Sequence, residues 1–212
     1  MSARGKYIVI EGSDGTGKSE QAKRITNRLS KQGIKCLEPP IEEPDGVPTA
    51  AELRKIIKNG HLERDPWTNV ILFTAARRLN WLQAMKPALD RGEWVVASRS
   101  WISTVTYQGY GEGIAIEKIK SFTREQVSPE YMNPDLAIIL TLEDETIRNS
   151  RISQRGELEH PDTFESKSSD FQTSMQMGYM RIAQDNNIKT IDASFSLDEV
   201  ETAIWNEVKT LL

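Results

Sequence analysis

Gly12-Ser-Asp-Gly-Thr-Gly17-Lys18-Ser19 has the spacing G-x-x-x-x-G-K-[ST], and each fixed position has a chemical use. Glycines let a tight turn aim backbone N–H groups inward at a phosphate, and the following helix N-terminus adds its partial positive charge. Gly12, Ser13, Asp14, Gly15, Thr16 and Gly17 would form that cradle. Lys18 would reach the β- and γ-phosphates, and Ser19 would offer its hydroxyl to Mg²⁺. The ligand so predicted is a nucleoside triphosphate; GTPases, motor ATPases and kinases all meet the requirement. Arg99 comes two residues after an apolar run that ends at Ala97. There it is either a second cation facing Lys18 or half of a surface ion pair. Phe73 and Arg77 are four residues apart and share a helical face. Such a pair stacks on and hydrogen-bonds a flat polar base, or is simply a core ring beside a solvated helix end. Arg148, Arg151 and Arg155 repeat at spacings of three and four. They form a charged helix face, or a cluster of fixed positive charge for phosphoryl transfer between two anions.

The elements that must hold these groups alternate between apolar runs and helical patterns. Tyr7-Ile-Val-Ile10 reads as a strand buried on both faces. A helix is predicted over 18–32, with Ala22, Ile25 and Leu29 on one stripe and Gly33 as its left-handed terminator. A second strand is predicted over 34–37, stopped by Pro39-Pro40, and a long, apolar-rich helix over 67–89. Residues 94–97, 136–140 and 188–191 read as three further strands. Ser196-Leu-Asp-Glu199 is a capping box that opens a last helix, with Val200, Ile204 and Val208 on its buried face. Strands separated by helices imply right-handed crossovers. The expected architecture is α/β, a P-loop NTPase fold with a five-stranded parallel sheet flanked by helices. Its functional groups would collect at strand carboxyl ends: the phosphate loop, Glu43-Pro44 and Ser98-Arg99. One domain covers 1–212, and the polar, poorly periodic stretch 156–169 is its candidate mobile segment.

Composition narrows the partners. Hydrophobic residues at 38% and charged residues at 27% exclude a disordered chain, and no run of 18 apolar residues offers a membrane span. The opening Met-Ser-Ala-Arg-Gly-Lys runs directly into Tyr7, leaving no room for a signal peptide, so a cytoplasmic protein is expected. One cysteine, Cys36, excludes an internal disulfide or a Cys-based zinc site; His61 and His160 are too few for a His-rich one. Lys plus Arg (27) against Asp plus Glu (31) gives a net charge of −4, so no global basic field suggests nucleic acid. Any anion must be held by local arrangements.

At these residues the chain resembles the thymidylate kinase family of P-loop nucleoside monophosphate kinases, over nearly its whole length. Ile8-Val-Ile-Glu-Gly-Ser-Asp-Gly-Thr-Gly-Lys-Ser19 is similar to the family's phosphate loop, and the resemblance places Asp14 near the sugar 3′-hydroxyl. Glu43-Pro44 and Leu53-Arg54 fall where the family has its E-P and L-R segments. Phe73-Thr-Ala-Ala-Arg77 and Lys86-Pro-Ala-Leu89 match its base-pocket helix, which implies that Phe73 stacks on the base and Arg77 faces base or acceptor phosphate. Ser98-Arg99 with Ser103-Thr-Val-Thr-Tyr-Gln-Gly109 resembles D-R-x-x-x-S-x-x-A-Y-Q-G. That implies Arg99 on the acceptor phosphate, Thr104 and Gln108 near the base edge, and Tyr107 under the sugar, crowding out a 2′-hydroxyl. Pro134-Asp-Leu136 precedes strand four as in the family, and Arg151, Arg155-Gly-Glu-Leu158, Asp162, Glu165 and Tyr179 resemble its lid, over about 148–170, and the helix after it. With Gly15 in the loop, the lid arginines Arg151 and Arg155 would carry the catalytic positive charge together with Lys18 and Arg99. The resemblance implies ATP as phosphoryl donor, Mg²⁺, dTMP as acceptor and a homodimer, with nucleotides rather than nucleic acid or membrane as partners.

The chain also departs from the family pattern. Ser98 replaces the aspartate of D-R, which helps to place Mg²⁺ or the acceptor phosphate, and Glu42 stands where an arginine often precedes E-P. Glu20, Thr106, Thr141 and Thr163 are further departures. The changes fall on the acceptor side and the lid, which keeps dUMP or a 5-substituted dUMP in view as acceptor, and a catalytically weakened nucleotide-binding homologue beside them.

Overall fold

The computed structural model describes residues 4–154, 164 and 167–212. Arg155, Gly156, Glu157, Leu158, Asp162, Thr163 and Glu165 of the predicted lid therefore lie outside the described residues. Five strands form one sheet: β1 (Tyr7–Gly12), β2 (Ile41–Glu42), β3 (Val95–Ser98), β4 (Leu136–Thr141) and β5 (Lys189–Asp192). All pairings are parallel, in the order β2-β3-β1-β4-β5. The chain runs from β1 to the edge strand β2, returns through β3, then crosses to β4 and β5. The order thus reverses at central β1, whose carboxyl end is where such a sheet opens a crevice.

The period-two pattern of β1 divides the core. Tyr7 and Val9 join one apolar cluster, which includes Val70, Trp81, Ile102 and Tyr179; Ile8 and Ile10 join the other, with Ala22, Ile25, Leu29, Ile204 and Val208. The second cluster is the sandwich of β1 with α1 (Lys18–Lys31) and α9 (Leu197–Val208), which the helical stripes predicted. The Ser196–Glu199 capping box is formed in full.

Two elements differ from expectation, both through proline. The second strand was expected over 34–37. That segment touches β3 only briefly: Trp94 donates to Lys35 O at 2.7 Å and Leu37 donates to Trp94 O at 2.8 Å. Pro39 and Pro40 have no N–H to continue the ladder, and pairing resumes at Ile41–Glu42 against Ala97–Ser98. The long helix over 67–89 is three pieces: α3 (Pro66–Asn80), a π-helical turn (Trp81–Met85) and α4 (Lys86–Asp90). Pro87 can neither donate to the preceding turn nor avoid its carbonyl, and the widened turn just before it absorbs the mismatch.

The remaining helices are α2 (Pro48–Lys58), α5 (Trp101–Thr104), α6 (Ile116–Gln126), α7 (Glu145–Ser153) and α8 (Ser169–Asp185), with a second π-helical stretch, Val105–Gly111, continuing α5. Among the described residues no helix is long and apolar enough to cross a membrane.

Candidate active site

The loop between β1 and α1 has the shape its glycines require. Gly12 has φ 139°, and a Cβ there would lie 2.3 Å from Leu140 O. Gly17, at φ 84°, caps α1 in the left-handed region, so neither position accepts a side chain without strain. Lys18 is buried; its Nζ donates to Ser13 O at 2.7 Å and lies 3.9 Å from Asp14. Thr16 Oγ1 closes the turn on Ser13 O at 2.8 Å. Two of the three spaced arginines come to this loop from α7. Arg148 donates to Asp14 O at 3.3 Å and to Gln172 Oε1 at 2.8 Å. Arg151 donates to Ala193 O at 2.8 Å and to Gly15 O at 3.4 Å. The series is thus more than a solvated helix face.

Arg99 follows β3 directly and has φ 75°, a left-handed conformation that costs a non-glycine residue energy and persists only when its surroundings demand it. Its N–H donates to Ile10 O at 3.0 Å. Its guanidinium pairs with Asp14, donates to Ser103 Oγ at 3.3 Å and stands over the Tyr107 ring at 5.7 Å. Tyr107 donates its hydroxyl to the other Asp14 oxygen at 3.2 Å. Arg99 and Lys18 therefore stand either side of one carboxylate, two cations converging from β3 and β1.

Sequence reasoning missed the group that fixes this corner. Glu11 is fully buried at the carboxyl end of β1, on the same face as Tyr7 and Val9. It accepts from Ser100 N (2.6 Å), Ser100 Oγ (2.9 Å), Ser103 N (3.1 Å), Ser103 Oγ (2.8 Å) and Tyr179 OH (3.2 Å). These bonds tie the phosphate loop to the turn that follows Arg99. An acid ending an otherwise apolar strand was the available signal.

One cleft of about 590 Å³ is lined by Lys18 and Ser19 of the phosphate loop, by Arg99, and by Phe73, Arg77, Arg54 and Gln108 among others. Arg77 is buried rather than a solvated end. It donates to Glu43 Oε2 at 2.9 Å and to Thr104 Oγ1 at 2.5 Å, and it lies over the Phe73 ring at 5.3 Å. Tyr131 donates to both Glu43 oxygens, at 2.7 and 2.9 Å. Thr104 thus meets the cleft through a hydroxyl already engaged by Arg77. Gln108 donates to Glu112 at 3.1 Å, and its buried Oε1 has no hydrogen-bond partner among the described residues. Arg54 is paired with Asp45 at 2.9 Å at the cleft rim. Phe164, another residue missed by sequence, packs between Phe73 (5.8 Å) and Tyr107 (5.7 Å).

Complete burial pushes the Glu43 carboxyl up, to about 7, against the opposing pull of Arg77 and Tyr131. The native chain then keeps a proton that the unfolded chain releases near its ordinary value. The resulting stability is present at low pH and is lost as pH rises towards about 7. Melting followed from pH 5 to pH 8 should therefore bring the parent down relative to Glu43→Gln, which has no proton to lose. A gap independent of pH would reject the raised carboxyl.

The groups for a divalent cation lie beside Lys18. Ser19 Oγ donates to Glu42 Oε1 at 2.8 Å and lies 3.4 Å from Ser98 Oγ. Two hydroxyls and a carboxylate are hard oxygen donors, a set that suits Mg²⁺ once phosphates and waters complete the shell.

Comparison with known proteins agrees with this geometry. The sequence model described as "Thymidylate kinase" matches residues 10–204, from the strand before the phosphate loop to the last helix. A protein of Pseudoalteromonas translucida (strain TAC 125) named "Thymidylate kinase" is 35% identical over 97% of this chain and 96% of its own. One of the same name from Cupriavidus metallidurans (strain CH34) is 34% identical over 98% of this chain and its own full length. Another, from Enterococcus faecalis (strain V583), is 31% identical over 97% of this chain. Loop, cleft and sheet order agree with a match that spans them all, and this chain belongs to the thymidylate kinase family.

Proposed function

We propose that the protein transfers the γ-phosphoryl group of ATP to dTMP, giving dTDP. The observation that carries this reading is the pairing of Lys18 and Arg99 about Asp14 within one cleft, which is lined both by the phosphate loop and by Phe73, Arg77 and Gln108. A donor triphosphate on the loop and an acceptor monophosphate at Arg99 would meet end to end. The acceptor's second pKa near 6 leaves it largely dianionic at neutral pH, so its oxygen is already nucleophilic and no general base is required. Catalysis then consists of alignment and charge neutralisation between two polyanions. Lys18, Arg99 and Arg151 supply fixed positive charge; Arg155 belongs to the same proposal on sequence grounds alone. Ser19, with its oxygen neighbours, would hold Mg²⁺, whose chemistry there is to neutralise the β- and γ-phosphate oxygens. Phe73 offers a ring to the base, Gln108 Oε1 accepts from an imide N–H, and Tyr107 packs at the sugar. Glu43, Pro44, Arg54, Arg77 and Thr104 shape the acceptor end.

The same proposal has the enzyme act in the cytoplasm as a homodimer. Ile71 and Leu82, 43% and 47% exposed, lie about three helical turns apart on the rod formed by α3 and the turn after it, and support pairing there. Trp81 and Met85, from the same rod, are core instead.

The experiment is a product assay with Mg·ATP and dTMP, dUMP, 5-hydroxymethyl-dUMP, dCMP, dGMP and UMP, offered separately. Rapid dTDP formation is expected, with UMP the poorest of the pyrimidines. Preference for another deoxynucleotide would overturn dTMP as the acceptor, and no diphosphate from any acceptor would overturn the kinase reading.

A further inference from the structure

Ser98 and Glu42 were noted separately in the sequence, as the loss of an acid and the gain of one. The structure makes them neighbours. They are register partners at the carboxyl ends of adjacent strands, β3 and β2, and both side chains reach Ser19. In phosphate-loop proteins generally, Mg²⁺ is held by the loop's Ser or Thr together with an aspartate from a neighbouring strand. A serine at the end of β3 has no charge to give that site. The carboxylate in contact with Ser19 comes one strand further out, from Glu42, whose side chain is longer than an aspartate's by one methylene.

We infer that Glu42 is the metal-site carboxylate of this protein, moved from the end of β3 to the end of β2, with Ser98 kept small and neutral to admit it. The contact is hydroxyl to carboxylate, Ser19 donating to Glu42 at 2.8 Å, as expected where one oxygen orients another toward a shared cation or its water. Ser98 is 2% exposed and Glu42 is exposed, so the charge sits at the mouth of the site and the neutral hydroxyl beneath it. An aspartate at 98 beside Glu42 would set two like charges on paired positions, which is unfavourable without a cation between them. Among the described residues no group of three or more His, Cys, Asp or Glu could hold a metal alone. The cation expected here is therefore Mg²⁺ or Mn²⁺ bound together with the phosphates.

The inference rests on the phosphate-loop reading of Gly12–Ser19, and its test separates the two. Mn²⁺ binding would be followed by electron paramagnetic resonance in the presence of a non-hydrolysable imido analogue of ATP. Binding of the same analogue in EDTA would be followed by calorimetry. Glu42→Gln is expected to weaken Mn²⁺ at least tenfold, leave metal-free nucleotide binding within twofold, and melt with the parent, since the side chain is exposed. Adding Ser98→Asp to that variant should recover most of the lost affinity. Unchanged Mn²⁺ affinity in Glu42→Gln would overturn the assignment, as would an equal loss of metal-free nucleotide binding, which would make Glu42 a prop for the loop. A double variant as weak as the single one would overturn the exchange between strands. If the parent itself binds no nucleotide, the phosphate-loop reading falls and takes this one with it.

Discussion

Replacing Lys18 by alanine should lower the rate of phosphoryl transfer by about a thousandfold or more while leaving the fold in place. About 4 kcal/mol of transition-state stabilisation corresponds to that factor, the upper range for removing one preorganised donor to a developing charge. The structure explains why so much rests on one side chain. Lys18 is 5% exposed, so its charge acts where water screens it least. Two of its partners, Ser13 O and Asp14, belong to the loop itself, so the element that receives the triphosphate helps to preorganise the ammonium. The fold should survive because the stripe that anchors α1, Ala22, Ile25 and Leu29, lies on other turns. Single-turnover quench with enzyme in excess over ATP isolates the chemical step, and circular dichroism reports the fold. A rate within tenfold of the parent would remove Lys18 from the mechanism.

How much of this was legible in the sequence depended on range. Local rules worked where one segment carries its own reason: the glycines at φ 139° and 84°, the Ser196–Glu199 box, the stripe on α1. They faltered where a proline interrupts a ladder or a helix, because 34–37 and 67–89 have the right propensities and the interruption is decided by a missing N–H. Long-range partnerships were the least visible. Glu11 and Tyr179 are 168 residues apart, and spacing does not suggest that they share a proton. Arg77 looked like a solvated helix end because its partners, Glu43 and Thr104, come from two other elements. The family resemblance put Arg77, Glu43 and Thr104 in one site; only the packing gave them their bonds. The same holds for Ser98 and Glu42, which read as two departures in sequence and as one exchange once the register of β2 on β3 is known.

The Arg99 position offers the second large effect, and it separates charge from shape. Arg99→Ala should cut kcat by about a hundredfold to a thousandfold, the range for losing a donor aimed at transferring oxygens. The more informative variant is Arg99→Lys, which keeps the charge. One guanidinium serves Asp14 and Ser103 together and stacks against Tyr107, a division of labour that needs a planar fork. A compact ammonium cannot span Asp14 and Ser103 in one plane or lie flat over the Tyr107 ring, so lysine should recover at most about a tenth of the parent's kcat. The backbone adds its own argument. A φ of 75° at a bulky residue is maintained against its preference, and the restraint is visible in Glu11, which clamps Ser100 and Ser103 just downstream and thereby fixes the turn. The strain is set by the turn and not by the side chain, so neither variant should relieve it and both should melt close to the parent. Steady-state kinetics with dTMP varied, alongside binding of the imido analogue of ATP, tests the whole chain of reasoning. The expected result is a fall in kcat with analogue affinity held within about threefold of the parent, which would place Arg99 at the transferring group and not in the donor site. Full activity in Arg99→Lys would mean that charge alone suffices there, and the fork geometry would lose its role.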